Sequence, residues 1–271
     1  MPSIDLNRLR KQIAHLAIFL EIPVEFVSEY KSLLEFYHQW SHHQHEEQIP
    51  NSFMLLYDLP PQIMPEIEQG LKPYFKGKAE VIFPLADALR QDLHFECSNL
   101  AAFIVGQTPA EKSDELKDYL IVWLEGSLDK AVVEAIFTKA TAPMINSDQE
   151  SYLSFLQTLL RSSNKRLANA GLVGMNLFLP YASIDHLPKL FTITTPLLQD
   201  RDLRQENLES LIQELAKKSP VETGYLIRQF ISETEGRHVE TLARAFLQYL
   251  PKDTAETVAK AIKLHAARNI S

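Results

Sequence analysis

Apolar residues recur along this chain at helical spacing, and the pattern is clearest in residues 149–181, which read as two helices closed by a tight turn. Tyr152, Phe155, Leu156, Leu159 and Leu160 fall at i, i+3, i+4, i+7 and i+8, one stripe of a helix, with Ser151, Ser154, Gln157 and Thr158 between them. Ser162-Ser163-Asn164 supplies the turn and an N-cap, because a short polar side chain there accepts from the first free amides of the next helix. Residues 167–179 are apolar nearly all round. They carry Ala168, Ala170, Gly171 and Gly174; the two glycines disfavour a lone helix, but such small residues let neighbouring helices approach closely. On this reading Leu156, Leu159, Leu160, Leu177 and Phe178 are buried, and Gly171 and Gly174 face an adjoining helix. Such a hairpin cannot complete its own core, so similar units must stack on each side.

The rest of the chain offers them. Residues 4–20 form one amphipathic stretch with Ser3 or Asp5 as cap; residues 24–40 form a second; 62–74 form a third, headed by Pro61. Residues 44–51 read as a linker. From residue 79 the hairpin pattern takes over: 81–91 with 95–107, 113–124 with 128–142, the hairpin above, 187–199 with 203–218, 221–232 with 238–250, and a last helix over 254–268. Leu89, Trp123, Leu160, Leu198 and Phe230 close successive first helices at intervals of roughly 32–38 residues, between the tetratricopeptide and HEAT periods. The fixed Trp, Gly and Tyr positions of the tetratricopeptide repeat are missing, as is the ankyrin turn, which favours HEAT-like hairpins. Pro84, Pro109, Pro143, Pro180, Pro188, Pro220 and Pro251 are expected near helix ends, with Pro196 the exception that kinks its helix.

The expected fold is therefore all-α, a curved right-handed α-α superhelix or solenoid of at least five HEAT-like helical hairpins in the armadillo-type manner. It reads as a single unit over 1–271: N-terminal helices in 1–48, a connecting segment and helix in 49–78, the hairpins in 79–250 and a capping helix in 251–271.

Composition supports this reading, with 45% hydrophobic residues and only 8 Gly in 271 positions. A net charge of -8 argues against bulk coating of nucleic acid, although a local basic face on an acidic body is compatible with it. Cys97 is the one cysteine, set in an apolar helical stripe, and reads as a buried thiol in a reducing compartment. No stretch is apolar for long enough to span a membrane and no signal peptide is legible, so the expectation is a cytoplasmic monomer that meets no membrane.

Chemistry is harder to find. His38, His42, His43 and His45 with Glu46 and Glu47 are the densest set of potential metal ligands. No thiolate accompanies them and a linker flanks them, so a solvated helix end that holds no structural metal is the preferred reading. No Gly-rich phosphate loop, G-x-S-x-G elbow or H-E-x-x-H helix is present, and no cofactor is called for.

One stretch carries a resemblance. Residues 89–96, Leu-Arg-Gln-Asp-Leu-His-Phe-Glu, followed by Ala101, are similar to the Leu-Trp-x-Ser-x-x-x-Glu-x-x-x-x-Ala segment of the DNA alkylation repair (AlkD-type) family of HEAT-like glycosylases. Glu214, Lys217 and Pro220 resemble that family's Arg-Glu-x-x-Lys-x-x-Pro stretch, and Asn164 opens what resembles its Asn-x-Trp-x-x-Arg hairpin. The resemblance covers roughly residues 79–250. It implies a concave face that grips duplex DNA and excises alkylated bases with Trp side chains, an Asp and an Arg. In this chain those positions fall on Lys130 and Arg166 for two of the Trp residues, Glu134 for the Asp, Asn169 for the Arg and Ser210 for the third Trp. The carboxylate alone survives, one methylene longer, and the stacking faces are gone. Lys130 and Glu134 also read as a plain i, i+4 ion pair.

Two functions follow as expectations. One is a non-catalytic module that binds a protein or duplex DNA on its concave face through Lys130, Arg161, Lys165, Arg166 and Arg204. The other is a diverged glycosylase or damage-recognition protein. Convergence of these cations with Lys139 into a continuous basic groove favours nucleic acid, whereas cations interleaved with carboxylates favour a protein partner.

Overall fold

A computed structural model describes residues 5–38 and 52–268. Among them the chain is helical throughout, and no strand forms beyond one isolated parallel bridge between Leu55 and His94. The contacts divide it into two compact units, Met1–Tyr152 and Leu153–Ser271.

In the first unit α1 (Leu6–Leu16) starts where the Asp5 carboxylate accepts from the amides of Asn7 and Arg8. α2 (Pro23–His38), α3 (Ile63–Leu71), α4 (Ala79–Arg90), α5 (Phe95–Val105), α6 (Ser113–Gly126), α7 (Lys130–Ala135), α8 (Ala142–Ser147) and the start of α9 (Gln149–Leu160) follow. α1 packs on α3, α2 on α4, α3 on α5 and α5 on α7, so a helix repeatedly leans on the one two places ahead. Tyr30 is fully buried in this core, and its hydroxyl donates to the Glu96 carbonyl, fastening α2 to α5.

The second unit holds the remainder of α9 with α10 (Lys165–Phe178), α11 (Leu187–Leu197), α12 (Gln205–Lys218), α13 (Pro220–Glu233), α14 (Arg237–Phe246) and α15 (Lys252–Arg268). The same alternation recurs, α10 on α12, α11 on α13, α12 on α14 and α13 on α15. Leu89, Trp123, Leu160, Leu198 and Phe230, the residues that set the period, are all buried.

The expected hairpin at α9 and α10 forms, with Asn164 capping α10 by accepting from the Arg166 amide. Leu156, Leu159, Leu160 and Phe178 are buried, and Gly171 lies where a Cβ would stand 2.9 Å from the Leu159 Cβ. Leu177 departs from expectation and is half-buried, on the edge of the apolar face rather than within it.

Two prolines exchange their expected roles. Pro84 sits inside α4 rather than at an end, on its exposed side, where the Glu80 carbonyl that loses its helical donor can meet water. Pro196 is the next-to-last residue of α11, so the helix ends there rather than bending in its middle.

The helix expected over 128–142 is divided as well. It begins later, at Lys130, because Asp129 caps it by accepting from the amides of Ala131 and Val132. It then widens into a π turn over Ile136–Ala140 and restarts at α8. Pro143 has no amide to offer the Lys139 carbonyl, and Gly106 at the end of α5 packs against that carbonyl so closely that a Cβ would come within 2.3 Å of the oxygen.

Candidate binding surface

The positions singled out by charge and by resemblance occupy both units. In the first, Lys130 is the first residue of α7 and Glu134 lies one turn on; both are half-buried and stand 4.0 Å apart as the ion pair the spacing suggests. Their placement is fixed by Asp129. Besides capping α7, its carboxylate accepts from the Ser52 hydroxyl at 2.8 Å and the Phe53 amide at 2.7 Å, so it also holds the chain that enters the second half of this unit. Lys139, in the π turn, is paired with Glu68 of α3.

In the second unit Lys165 opens α10 and lies 2.9 Å from Asp200 and 3.3 Å from Asp202. The hydrogen bond to Asp200 raises the Lys165 pKa; burial opposes ionisation of Asp200, yet Lys165 and the Asp202 amide hold its pKa below the usual value. Asn169 acts as a latch between α10 and the turn before α12. Its Nδ2 donates to the Lys165 carbonyl at 2.8 Å and its Oδ1 accepts the Arg204 amide at 2.9 Å. The Arg204 guanidinium is 3.9 Å from Glu206, and the Ser210 hydroxyl bonds back to the Glu206 carbonyl within its own helix. Arg161 and Arg166 are exposed.

Four of these cations, Lys130, Lys139, Lys165 and Arg204, thus stand beside carboxylates. The sequence pairs Lys130 with Glu134 directly, whereas the acids beside Lys139, Lys165 and Arg204 were not anticipated. The signal for the pair at Lys165 was nonetheless present: Asp200 and Asp202 fall in the turn that a stacked hairpin brings back to the start of α10.

The segment that carries the resemblance forms a polar cluster in the first unit. Glu96 is 6% exposed. Its Oε1 accepts from the Tyr57 amide at 2.9 Å, and its Oε2 has no hydrogen-bond partner among the described residues. Burial raises the Glu96 pKa against the opposing pull of these amides and of His94 and His38. Asp92 behaves oppositely. Burial again works against its charge, but Lys31 at 2.7 Å, the His94 amide and the His94 ring at 2.6 Å outweigh it and hold its pKa down to about 2. The Tyr57 ring stacks on His94 at 4.2 Å, and His38 Nδ1–H donates to the Tyr57 carbonyl. The stretch around Leu55 is thereby strapped onto the α4–α5 turn by its bridge and by side chains on both flanks. Cys97, fully buried beside them, has its thiol pKa pushed up by burial, as befits a packing residue rather than a nucleophile.

His38 is the described member of the histidine-rich group; His42, His43, His45, Glu46 and Glu47 lie outside the described residues, as does the expected linker over 44–51. Among the described residues no three His, Cys, Asp or Glu side chains are grouped to hold a metal ion, and no helix is long and apolar enough to cross a membrane. In comparisons with known proteins, no family model matches the chain and no curated protein matches it.

Proposed function

We propose that this chain is a non-catalytic, HEAT-like helical-repeat module, akin to the AlkD-type proteins in architecture, that binds a protein partner through Lys130 of the first unit and Arg161, Lys165, Arg166 and Arg204 of the second. The repeat reading draws support from the packing of several helices in each unit on the one two places ahead, which is what stacked antiparallel hairpins require. The functional reading is carried by the ion pairs: Lys130, Lys165 and Arg204 each stand beside a carboxylate. A surface of alternating sign suits a partner of alternating sign and resists a uniformly anionic backbone.

Catalysis of base excision is disfavoured on the same ground. Where the resembled family needs an aromatic face there are Lys130 and Arg166, which offer no apolar seat for a flipped base and repel an alkylated, cationic one. Glu134 is paired with Lys130, and Asn169 is committed at both polar atoms to holding the turn before α12.

Incubation with alkylated duplex DNA, with release of modified base measured against buffer, tests the chemistry. Duplex titrations across salt concentrations test the partner class. The expected results are no excision and no steeply salt-dependent affinity. Excision abolished by Glu134→Gln would restore the diverged glycosylase, and salt-sensitive duplex binding lost in the Lys130→Ala, Arg166→Ala double variant would make nucleic acid the partner.

A further inference from the structure

The first unit contains a cleft of about 410 Å³ between α1 and α2, a size within the range of small-molecule sites, which run from roughly 300 to 1,000 Å³. Its two walls differ in chemistry. Arg8, Lys11 and His15 follow one another along one stripe of α1, with Gln12 beside them. Leu16 and Leu33, both buried, line it together with Phe36, and Glu29 and Ser32 complete the α2 wall.

The polar groups on the α1 wall are all able to donate. The Arg8 guanidinium lies 4.2 Å above the Phe36 ring, a stack that orders its planar fork of N–H groups before any ligand arrives. Gln12 Oε1 accepts from the Tyr37 hydroxyl at 2.8 Å, which assigns the other end of that amide as the donor left for the cleft. Arg10 points elsewhere and pairs with Glu66 at 3.6 Å, whereas Arg8, Lys11 and His15 take part in no ion pair among the described residues. Asp5, the acid nearest in sequence, is engaged in capping α1.

We propose that this cleft binds a carboxylate carried on an apolar body, with Arg8, Lys11 and Gln12 holding the carboxylate and Leu16, Leu33 and Phe36 seating the body. The charge of the lining selects the class. Arg8 and Lys11 against Glu29 leave a net +1 with His15 neutral (two cations minus one anion), which matches one anionic group and opposes a polyanion. A fork-shaped donor stacked on an aromatic ring is matched to a planar carboxylate, and the aliphatic and aromatic lining gives the remainder of the ligand a place out of water. Two sources share this chemistry, a free small acid and the C-terminal carboxylate of a polypeptide that ends in an apolar residue. The cleft shares no residue with the cationic surface of the preceding section, so this inference stands or falls independently of the proposed function.

The test is amide chemical-shift mapping on the full chain with four probes: N-acetylphenylalanine as a polypeptide-terminus mimic, phenylacetate as a free acid, N-acetylphenylalaninamide as the uncharged control, and inorganic phosphate as the compact polyanion. Both acids are expected to give saturable shifts confined to α1 and α2, and the amide none. The Arg8→Ala, Lys11→Ala double variant, altered at exposed side chains, should melt as the wild type does and bind the acids about tenfold or more weakly. Tighter binding of N-acetylphenylalanine than of phenylacetate identifies a polypeptide terminus as the source, and the reverse order a free acid. The proposal is overturned by an amide that binds as well as its acid, by inorganic phosphate binding more tightly than either acid, by undiminished binding in the double variant, or by the absence of saturable shifts on α1 and α2.

Discussion

The carboxylate of Asp129 accepts the amide of Phe53 at 2.7 Å, across 76 positions of sequence, while its other oxygen caps α7. One side chain therefore both starts the helix bearing Lys130 and Glu134 and anchors the strap that covers Glu96. Asp129→Ala removes the cap and leaves the Ser52 and Phe53 donors without their acceptor, and it should cost about 1–3 kcal/mol in urea unfolding. Asp129→Asn keeps one acceptor oxygen and should lose less. Equal losses in the two variants would mean that the oxygen retained by Asn contributes nothing.

The contact between Gly106 and the Lys139 carbonyl makes a second test. Gly106→Ala places its Cβ 2.3 Å from a backbone oxygen in the π turn, so α5 and the turn must move apart. A loss of about 1–3 kcal/mol is expected, as for overpacking elsewhere in cores. Gly126, at the end of α6, has nothing within 4 Å of the corresponding position. Gly126→Ala should be neutral or stabilise by up to about 1 kcal/mol. Thermal midpoints of the two variants moving in the same direction by similar amounts would contradict this packing.

Glu96 and Asp92 should bend the pH dependence of stability in opposite senses. The Glu96 pKa is raised on folding, so its contribution is fully present below the ordinary carboxylate pKa and is lost as pH rises through the raised value. Glu96→Gln should accordingly be more stable than the wild type near neutrality, with the advantage shrinking as the solution is acidified. The check is the urea midpoint of both proteins measured across that range, and an advantage that grows toward acid would refute it.

The Asp92 pKa is instead lowered to about 2, so the stability it supplies is present above the ordinary value and disappears as pH falls through about 2. Asp92→Asn should cost about 1–2 kcal/mol at neutral pH and progressively less in acid. Lys31→Met, which removes the ammonium at 2.7 Å, should reproduce part of that loss. A pH-independent cost would locate the role of Asp92 in hydrogen bonding to the His94 amide alone.

Much of the helical framework was legible because its signals are local. The stripe from Tyr152 to Leu160, the Asn164 cap and the period marked by Leu89, Trp123, Leu160, Leu198 and Phe230 are all properties of short windows, and all five period residues are buried. What escaped detection depends on partners distant in sequence. The π turn needs Gly106 to reach Lys139, and the polar cluster needs Tyr57 to return to Glu96. Leu177 reads as core by its own pattern and is half-buried because no neighbour covers it fully. The Lys130–Glu134 pair could be read directly at its i, i+4 spacing, while the acids beside Lys165 and Lys139 belong to other elements.

The strap over Glu96 and the latch at Asn169 also differ in how far along the chain they reach, and that difference orders the assembly of the molecule. In the second unit Asn169 meets Arg204 across 35 positions and Lys218 meets Pro180 across 38. In the first, Tyr30 must find Glu96 across 66 and Ser52 must find Asp129 across 77. Longer closures surrender more chain entropy before any contact rewards them, and topologies rich in them cross their folding barrier more slowly. The second unit is thus expected to form more quickly than the first although it is synthesised after it, because the first must close the long loop that ends at Asp129.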